Sequence, residues 1–292
     1  MTQPAETKRI AFADKIKIVS INVNGFRARE NQLRKFISEQ GDNQIISISD
    51  TRLSDSTVVK DIENYSLLRT DKVKHCQMAT AGGVGLIVPK TWSCLRINLK
   101  CTGEHIEAIA AIIIPKDQNC QPIKVMVLYN HPGHYIPQQL LSEFKNISFN
   151  GKNIPGLITG DFNSPHAVFG SRTTNEFGTR LVQMLVQEDL VFLNDGSPTY
   201  FSNSTGLDNV LDLSISNSLL SPFVEACYVD GDIGSDHLLL ITILSFKITP
   251  RKKKKVNMKL WAKTVDDAIE QYTASEDIDG NIEFINRIFK ES

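Results

Sequence analysis

The sequence lacks the features that mark secreted, membrane-spanning and disulfide-bonded proteins. Its five cysteines are odd in number and form no C-x-x-C pair, which argues for reduced thiols over a disulfide framework or a zinc site. Residues 1–12 carry no apolar secretory segment, and no apolar run approaches the roughly 20 residues needed to cross a membrane. We therefore expect a cytosolic or nuclear protein with no membrane partner.

The chain also lacks an excess of charge of either sign. The formal net charge is -1 over 292 residues, so composition does not indicate nucleic acid, and any such partner must be met by local patches. Five consecutive basic residues occur at 251–255, within a segment 247–292 that we interpret as a basic linker and helical tail. A solvated charge run is favoured there over a nuclear-import or phosphate-binding element. Residues 1–14 form a polar leader, which leaves 15–246 as one α/β domain of ordinary size.

Short apolar runs that end in polar residues recur along this domain. Residues 16–23 alternate apolar and polar side chains, 45–48 end in Ser-Asp-Thr, and 156–158 run into GDFN, which is typical of strands that present polar groups at their ends. Helical spacing follows at 29–39 and again at 176–187. Without a sequence repeat, this order predicts two similar sheet halves packed face to face with helices outside. The strand-end loops would then gather at one rim.

The GDFN segment is the first candidate site. Asp161 and Asn163 are two residues apart, so on an extended backbone their side chains point the same way. An ionised acceptor beside an amide suits a site that holds a water and a phosphate oxygen, although a plain polar turn is the alternative. A second cluster, Ser235-Asp236-His237, favours the site. Adjacent side chains on a strand point oppositely, so the backbone must turn there if both Asp236 and His237 serve it.

Eight polar residues make up the candidate site. They supply carboxylates for a divalent ion, amides to orient a phosphate, and a histidine beside an acid. Mg²⁺ is held by one or two carboxylates plus waters and substrate phosphates, so dispersed aspartates at strand ends suit it. The eight are Asn22, Asn24, Asp50, Tyr129, Asp161, Asn163, Asp236 and His237.

The chain resembles the endonuclease/exonuclease/phosphatase superfamily, related to apurinic endonucleases and DNase I. Similar stretches occur in family order over 16–246: SINVNGFR, ISDTRL, GGVGLIV, VLYNHPG, GDFNSPH, LDLSIS and SDH. Within the superfamily, GDFNSPHAVFGS and LNDGSPTYF leading into VLDLSIS are most similar to the endonuclease domain of non-LTR (LINE-type) retrotransposons. The resemblance implies an α/β (α+β) fold, a DNase I-like four-layered sandwich of two packed mixed β-sheets flanked by helices.

The same resemblance implies an activity and its partners. It implies a Mg²⁺-dependent phosphodiesterase, with Mn²⁺ as the alternative ion, that nicks double-stranded DNA and leaves a 3′-hydroxyl to prime reverse transcription. The polymerase would lie elsewhere on a longer polyprotein, through which element RNA would bind, and 292 residues would be a fragment of it. The site of action would be the nucleus, after synthesis in the cytoplasm.

Roles for individual residues follow from the resemblance. Asp161 would orient or deprotonate the attacking water, and Asn163 would hold the water and the phosphate. His237, with Asp212 behind it, would stabilise charge on the pentacovalent transition state, and Asp208 competes with Asp212 for that place. The remaining assignments are Tyr129 near the phosphate, Asn22 as a catalytic residue beside the metal, Asp50, Asn24 and Asp236 as metal ligands, and Arg27, Thr199 and Tyr200 as substrate contacts.

One departure from the family pattern is the basis of an alternative. The family has Glu where this chain has Asp50, in the stretch usually read as QET and here SDT. Because Mg²⁺ demands contacts at about 2.0–2.1 Å, we hypothesise that Asp50 binds through a water or that the site is weaker. A repair nuclease or other phosphodiesterase of the superfamily stays open as an alternative. So does a degenerate, non-catalytic DNA-binding domain, which Asp50 and the low net charge motivate.

Overall fold

The computed structural model describes residues 15–41, 43–72, 81–103, 105–117, 120–202 and 205–246. The chain divides into two units, Met1–Lys247 and Ile248–Ser292, and all described residues lie in the first. The expected polar leader at 1–14 and the expected linker and tail at 247–292 lie outside the described residues. Within the described part, no helix has the length and apolar character to cross a membrane.

The described residues form sixteen β-strands, three α-helices and two 3₁₀ turns. The strands are β1 (Lys15–Asn22), β2 (Gln44–Ser49), β3 (Tyr65–Thr70), β4 (Val84–Pro89), β5 (Ser93–Ile97), β6 (Ile106–Ile114), β7 (Ile123–Asn130), β8 (Ser148–Phe149), β9 (Lys152–Asn153), β10 (Gly156–Asp161), β11 (Leu190–Phe192), β12 (Tyr200–Phe201), β13 (Asp208–Asn209), β14 (Asp212–Asn217), β15 (Val224–Val229) and β16 (Leu240–Ser245). The helices are α1 (Phe26–Gln40), α2 (Gln138–Asn146) and α3 (Glu176–Gln187), and the 3₁₀ turns are Ala167–Phe169 and Ser221–Phe223.

Twelve of these strands form two six-stranded mixed sheets. The first has the order β15-β16-β1-β2-β4-β3 and the second β11-β14-β10-β7-β6-β5. Each contains a parallel pair, β1 with β2 and β7 with β10, among antiparallel neighbours. Parallel strands end at the same edge of a sheet, so residues at their carboxyl ends become neighbours. In the first sheet Asn22 pairs with Ser49, and in the second Tyr129 pairs with Asp161.

The two sheets pack face to face with helices outside. The core between them contains residues of both sheets, such as Ile18 and Val127. On the outer face of the first sheet the core includes Leu33 of α1. On the outer face of the second it includes Phe144 of α2 and Leu181 of α3. Successive side chains along each strand point to opposite faces of the sheet, so each sheet contributes to two cores. The layers run helix, sheet, sheet, helix, which confirms the expected four-layered sandwich.

The sequence patterns missed several elements. Strands β3 and β5 lie at sheet edges, and the exposed or half-exposed side chains of YSLLRT and SCLRI interrupt the apolar run by which buried strands are recognised. The two-residue hairpins β8–β9 and β12–β13 are too short to show periodicity. These edge and hairpin elements therefore required the three-dimensional structure.

Gly160, next to the last residue of β10, is required by close packing of the backbone. Its φ angle is 137°, and a Cβ atom there would lie 2.0 Å from the carbonyl oxygen of Leu128 on the neighbouring strand. Only glycine can therefore place Asp161 at this strand end without displacing β7.

Candidate active site

Strand ends of both sheets meet at a pocket of about 360 Å³. Nine of the twelve predicted site residues line it. The nine are Asn22, Asn24, Asp50, Tyr129, Asp161, Asn163, Tyr200, Asp236 and His237. The other lining residues are Arg52, Ala81, Pro132 and Leu211.

Asp161 is a buried carboxylate held from both sides. Its Oδ2 accepts a hydrogen bond from the Asn22 amide at 2.9 Å, and its Oδ1 accepts one from the backbone N–H of Asn163 at 3.0 Å. Burial, with the negative charge of Asp212, raises the pKa of Asp161 to about 7, although His237 and the two hydrogen bonds act in the other direction. A carboxylate with such a pKa exchanges a proton near neutral pH, which suits a general base.

Asn163 reaches the pocket by a different route from the one predicted. The strand ends at Asp161, and Asn163 has a φ of 47°, so the extended backbone assumed for the two side chains is wrong. The chain instead turns, and the backbone hydrogen bond to Asp161 closes the turn. The Asn163 amide then donates to the carbonyl of Asn130 at 2.9 Å. The strand end of β7 therefore holds Asn163 in place.

His237 and Asp212 form a buried pair beneath the pocket. Nδ1 of His237 lies 2.6 Å from Oδ2 of Asp212, which leaves Nε2 for a ligand. Burial lowers the pKa of His237, but the negative charges of Asp212, Asp161 and Asp236, with the hydrogen bond to Asp212, together outweigh burial and raise the pKa to about 9. The imidazole is therefore protonated at neutral pH. Asp208 instead pairs with Arg172, so the geometry assigns Asp212 as the histidine's partner.

The backbone bends at Asp236. Such a bend is needed if the adjacent side chains of Asp236 and His237 are both to face the pocket. Oδ1 of Asp236 accepts a hydrogen bond from the Asn24 amide at 2.9 Å. The hydroxyl of Ser235 donates to the carbonyl of Asn22 at 2.7 Å and so ties the bend to the end of β1. Ser235 was part of the SDH motif but was not itself predicted to act. Its position explains how Asp236 and His237 face one pocket.

Two tyrosines contribute ring surface to the pocket. Burial, together with the charges of Asp50 and Asp161, raises the pKa of Tyr129 well above its usual range, so its phenol stays protonated and can donate a hydrogen bond. The ring of Tyr200 lies against that of His237, with centroids 4.8 Å apart. Tyr200 therefore limits the orientation of the imidazole in addition to any contact with substrate.

The other two predicted substrate contacts lie elsewhere. Thr199 is fully buried, and its hydroxyl accepts hydrogen bonds from the backbone N–H groups of Leu211 and Asp212 at 3.0 and 2.9 Å. It therefore supports the strand that carries Asp212 from behind the pocket. Arg27 lies on α1, pairs with Glu30 at 2.8 Å, and does not line the pocket. Substrate contact by either residue stays a prediction.

Asp50 is held by two donors that the sequence patterns did not single out. Its Oδ1 accepts a hydrogen bond from the backbone N–H of Gly82 at 2.6 Å. Its Oδ2 accepts from Nε and Nη2 of Arg52 at 3.1 and 2.9 Å. Gly82 lies in the GGVGLIV stretch and Arg52 in the ISDTRL stretch. The sequence alone did not show that both residues donate hydrogen bonds to the Asp50 carboxylate.

The backbone is strained at this site. Four residues of the pocket, Asn24, Asp50, Arg52 and Asn163, have φ angles between 45° and 55°. Among them Arg52 is the least accommodating, because asparagine and aspartate tolerate this region better than other residues with a Cβ. Such strain is retained where surrounding structure enforces it, and it concentrates at functional sites.

The donors of this pocket fit a hard divalent ion. Asp50, Asn24 and Asp236 offer carboxylate and amide oxygens, and Mg²⁺ needs only one or two carboxylates with the rest from water and substrate. The guanidinium of Arg52, bound to both Asp50 and Asn24, already acts as a cation at these oxygens. A second group, Asp161, Asp212 and His237, places ligand atoms within 4.8 Å of one another. In that group Nδ1 of His237 and Oδ2 of Asp212 already contact each other at 2.6 Å, whereas the donors of the first group are all oxygens.

Comparison with known proteins agrees with this geometry. A family model described as endonuclease-reverse transcriptase matches residues 123–241, which include Tyr129, Asp161, Asp212 and His237. A search of curated protein sequences finds no match.

Several solved structures share the fold. The endonuclease domain of TRAS1, a telomere-specific non-LTR retrotransposon, is similar with a TM-score of 0.60 and 16% identity, over 80% of this chain and 99% of that one. The AP endonuclease LMAP from Leishmania major has a TM-score of 0.61 and 12% identity, over 84% and 92%. The 3′-5′ exonuclease NExo from Neisseria meningitidis has a TM-score of 0.59 and 15% identity, over 79% and 100%. The match to this family model over residues 123–241 and the fold shared with these nuclease structures support an enzyme of the nuclease and phosphodiesterase type.

Proposed function

We propose that this chain is a divalent-metal-dependent endonuclease that nicks double-stranded DNA and leaves a 3′-hydroxyl for target-primed reverse transcription. The observation that carries the proposal is the convergence of Asp161, Asn163 and the Asp212–His237 pair on one pocket. The description of the matched family model and the likeness to a retrotransposon endonuclease domain support the role in reverse transcription. Double-stranded DNA is the proposed substrate, with element RNA bound through other parts of a longer protein in the nucleus.

The residues of the pocket divide the reaction between them. Asp161 takes a proton from the attacking water, and Asn163 holds that water against the phosphate. The protonated imidazole of His237 stabilises negative charge on the pentacovalent phosphorus, while Asp212 fixes its orientation. As water adds to phosphorus, the bond from phosphorus to the 3′-oxygen breaks, the phosphate stays on the 5′ side, and the 3′-oxygen takes a proton from solvent and leaves as the 3′-hydroxyl. The Tyr129 phenol lies in the same pocket as a hydrogen-bond donor.

A divalent ion, Mg²⁺ or Mn²⁺, would supply positive charge to the phosphate and the leaving oxygen when bound. Asp50, Asn24 and Asp236 would hold it. Asn22 stands between the two groups of residues, because its amide donates to Asp161 while its Oδ1 accepts the backbone N–H of Asn24 at 2.8 Å.

A supercoiled-plasmid assay tests the proposal. The native chain should convert plasmid to open circles only with Mg²⁺ or Mn²⁺, and a DNA polymerase should extend the nicks directly, because they end in a 3′-hydroxyl. Asp161→Asn and His237→Gln should both abolish nicking. Asp189→Asn is the matched control: Asp189 does not line the pocket, and its φ of 53° is one that asparagine adopts readily.

The alternatives give different results in the same experiment. A strong preference for abasic over intact duplex would indicate a repair nuclease. DNA binding without metal-dependent cutting would indicate a non-catalytic domain. Nicks that polymerase cannot extend would contradict the priming role even if cutting occurs.

A further inference from the structure

Arg52 is the charged residue of the pocket that the proposed reaction does not use. Its guanidinium donates to Oδ2 of Asp50 at 3.1 and 2.9 Å, and its Nη2 also donates to Oδ1 of Asn24. Asp50 is 3% exposed, and a buried carboxylate requires a positive partner or strong hydrogen bonds. One side chain therefore bridges two of the three residues assigned to the metal.

The fold fixes Arg52 in this position. Its φ of 55° is unusual for a residue other than glycine, asparagine or aspartate. Its backbone N–H donates to the carbonyl of Gly82 at 2.8 Å, and the N–H of Thr51 donates to the carbonyl of Gly83 at 3.1 Å. The glycine pair thus holds the segment that carries both Asp50 and Arg52. The same pair supplies the N–H that binds the second oxygen of Asp50.

The oxygens that Arg52 contacts are those a divalent ion would need. Oδ1 of Asp50 is engaged by Gly82, Oδ2 by Arg52, and Oδ1 of Asn24 also by Arg52. Oδ2 of Asp50 already accepts two hydrogen bonds from Arg52, and Mg²⁺ takes oxygen ligands at about 2.0–2.1 Å, so an ion bound at these oxygens would lie close to the guanidinium. The positive charges of the ion and of the Arg52 guanidinium would also repel each other when both lie beside Asp50.

We infer that Arg52 is the resident counter-cation of Asp50 and Asn24, and that it competes with the divalent metal for them. The inference rests on the proposed function in one respect, the assignment of Asp50 and Asn24 as metal ligands. Arg52 pairs with Asp50 while the metal is absent, and metal binding displaces its guanidinium. Arg52 is thereby a positioning residue that sets the metal affinity of the site.

The test is a calorimetric titration of the whole chain with Mn²⁺ and with Mg²⁺, without DNA. Arg52→Gln should bind each ion at least about fivefold more tightly than the native chain, because the competing cation is removed. Without metal, Arg52→Gln should melt at a lower temperature than the native chain. Saturating metal should raise the melting temperature of the variant by more than it raises that of the native chain. Arg34→Gln is the matched control, since Arg34 also pairs with a carboxylate, Glu30, but does not line the pocket.

Two further variants complete the test. The double variant Arg52→Gln, Asp50→Asn should bind metal no more tightly than Asp50→Asn alone. That result would place the effect of Arg52 at Asp50. If Arg52→Gln does not fold, Arg52→Lys keeps a positive charge but loses the bridging geometry, and it too should bind metal more tightly than the native chain. Unchanged or weaker metal binding by the folded variant would overturn the inference. Since no DNA is present, this result is independent of whether plasmid is nicked.

Discussion

The Asp212 carboxylate contacts the His237 imidazole at 2.6 Å, and the two residues come from different sheets: Asp212 begins β14, and His237 precedes β16. The contact favours the charged form of His237 and does not involve its Nε2. A histidine so paired stabilises negative charge more effectively than an isolated one, because its proton is held at neutral pH.

Replacement of Asp212 by asparagine should therefore impair catalysis without removing any group that touches substrate. We expect Asp212→Asn to lower kcat by at least about 10²-fold, with a smaller change in KM. Loss of the carboxylate should also lower the pKa of His237, so the alkaline limb of the rate profile should move to lower pH. Steady-state kinetics across pH would show this, and an unchanged alkaline limb would contradict it.

The native enzyme should have a bell-shaped dependence of rate on pH. Asp161 must be deprotonated to accept a proton, and its pKa is raised to about 7, so activity should rise through that region. His237 must be protonated, and its pKa is raised to about 9, so activity should fall above that value. Initial rates of nicking at saturating metal measure the profile. A flat profile between pH 6 and 8 would argue against Asp161 as the base.

The short side chain of Asp50 should limit metal affinity. Asp50→Glu restores the residue that the superfamily pattern has at this position, and it should tighten Mg²⁺ binding by about tenfold, the lower end of effects typical around metal ligands. Calorimetric titration measures the change. Native-chain affinity in the usual range, with no gain in Asp50→Glu, would refute the hypothesis of a weakened site.

The packing at Gly160 predicts a large loss of stability on substitution. Gly160→Ala would place Cβ 2.0 Å from a carbonyl oxygen at a φ of 137°, and should cost more than about 3 kcal/mol of unfolding free energy. Gly151→Ala is the matched control: its φ is 72°, but no atom lies within 4 Å of the added Cβ, so only the backbone term of about 1 kcal/mol remains. Urea denaturation would distinguish the two, and equal losses would contradict the steric explanation.

Lys124 gives a stability prediction far from the pocket. It is fully buried, and Nζ donates to the carbonyls of Lys145 and Ile147 and to the Asn153 amide oxygen. Burial lowers the pKa of Lys124 to about 8 from 10.5. The unfolded chain then binds more protons between these values, so this lysine's contribution to the free energy of unfolding should rise with pH by about 2 to 3 kcal/mol.

Denaturation of the native chain and of Lys124→Met across that pH range isolates this contribution. The difference between the two should grow with pH, because methionine cannot titrate. A difference that is constant between pH 8 and 10.5 would show that Lys124 has an ordinary pKa.

How far the sequence could predict this site depended on the kind of contact. Asp161, Asp50 and Tyr129 were recognisable because apolar strands end at or beside them, and alternation in buried strands is a local pattern. Arg52 was not recognisable as a pocket residue, because its left-handed backbone and its contact with Asn24 depend on a distant glycine pair. Asn163 was assigned to the site for a geometric reason that the structure corrects, since a turn and not an extended strand brings it beside Asp161.

The hydrogen bond from Asn22 to Asp161, like the one from His237 to Asp212, joins one sheet to the other. Neither of these two residue pairs can therefore form in a partly folded chain whose sheets have formed but have not yet packed together. Nicking should consequently disappear together with near-ultraviolet circular dichroism, ahead of the far-ultraviolet signal, as denaturant loosens the layers. Nicking activity therefore reports whether the two sheets are packed together. A variant that loosens the interface between the sheets, anywhere along its length, should reduce the active fraction. It should not alter the chemistry of the molecules that remain assembled.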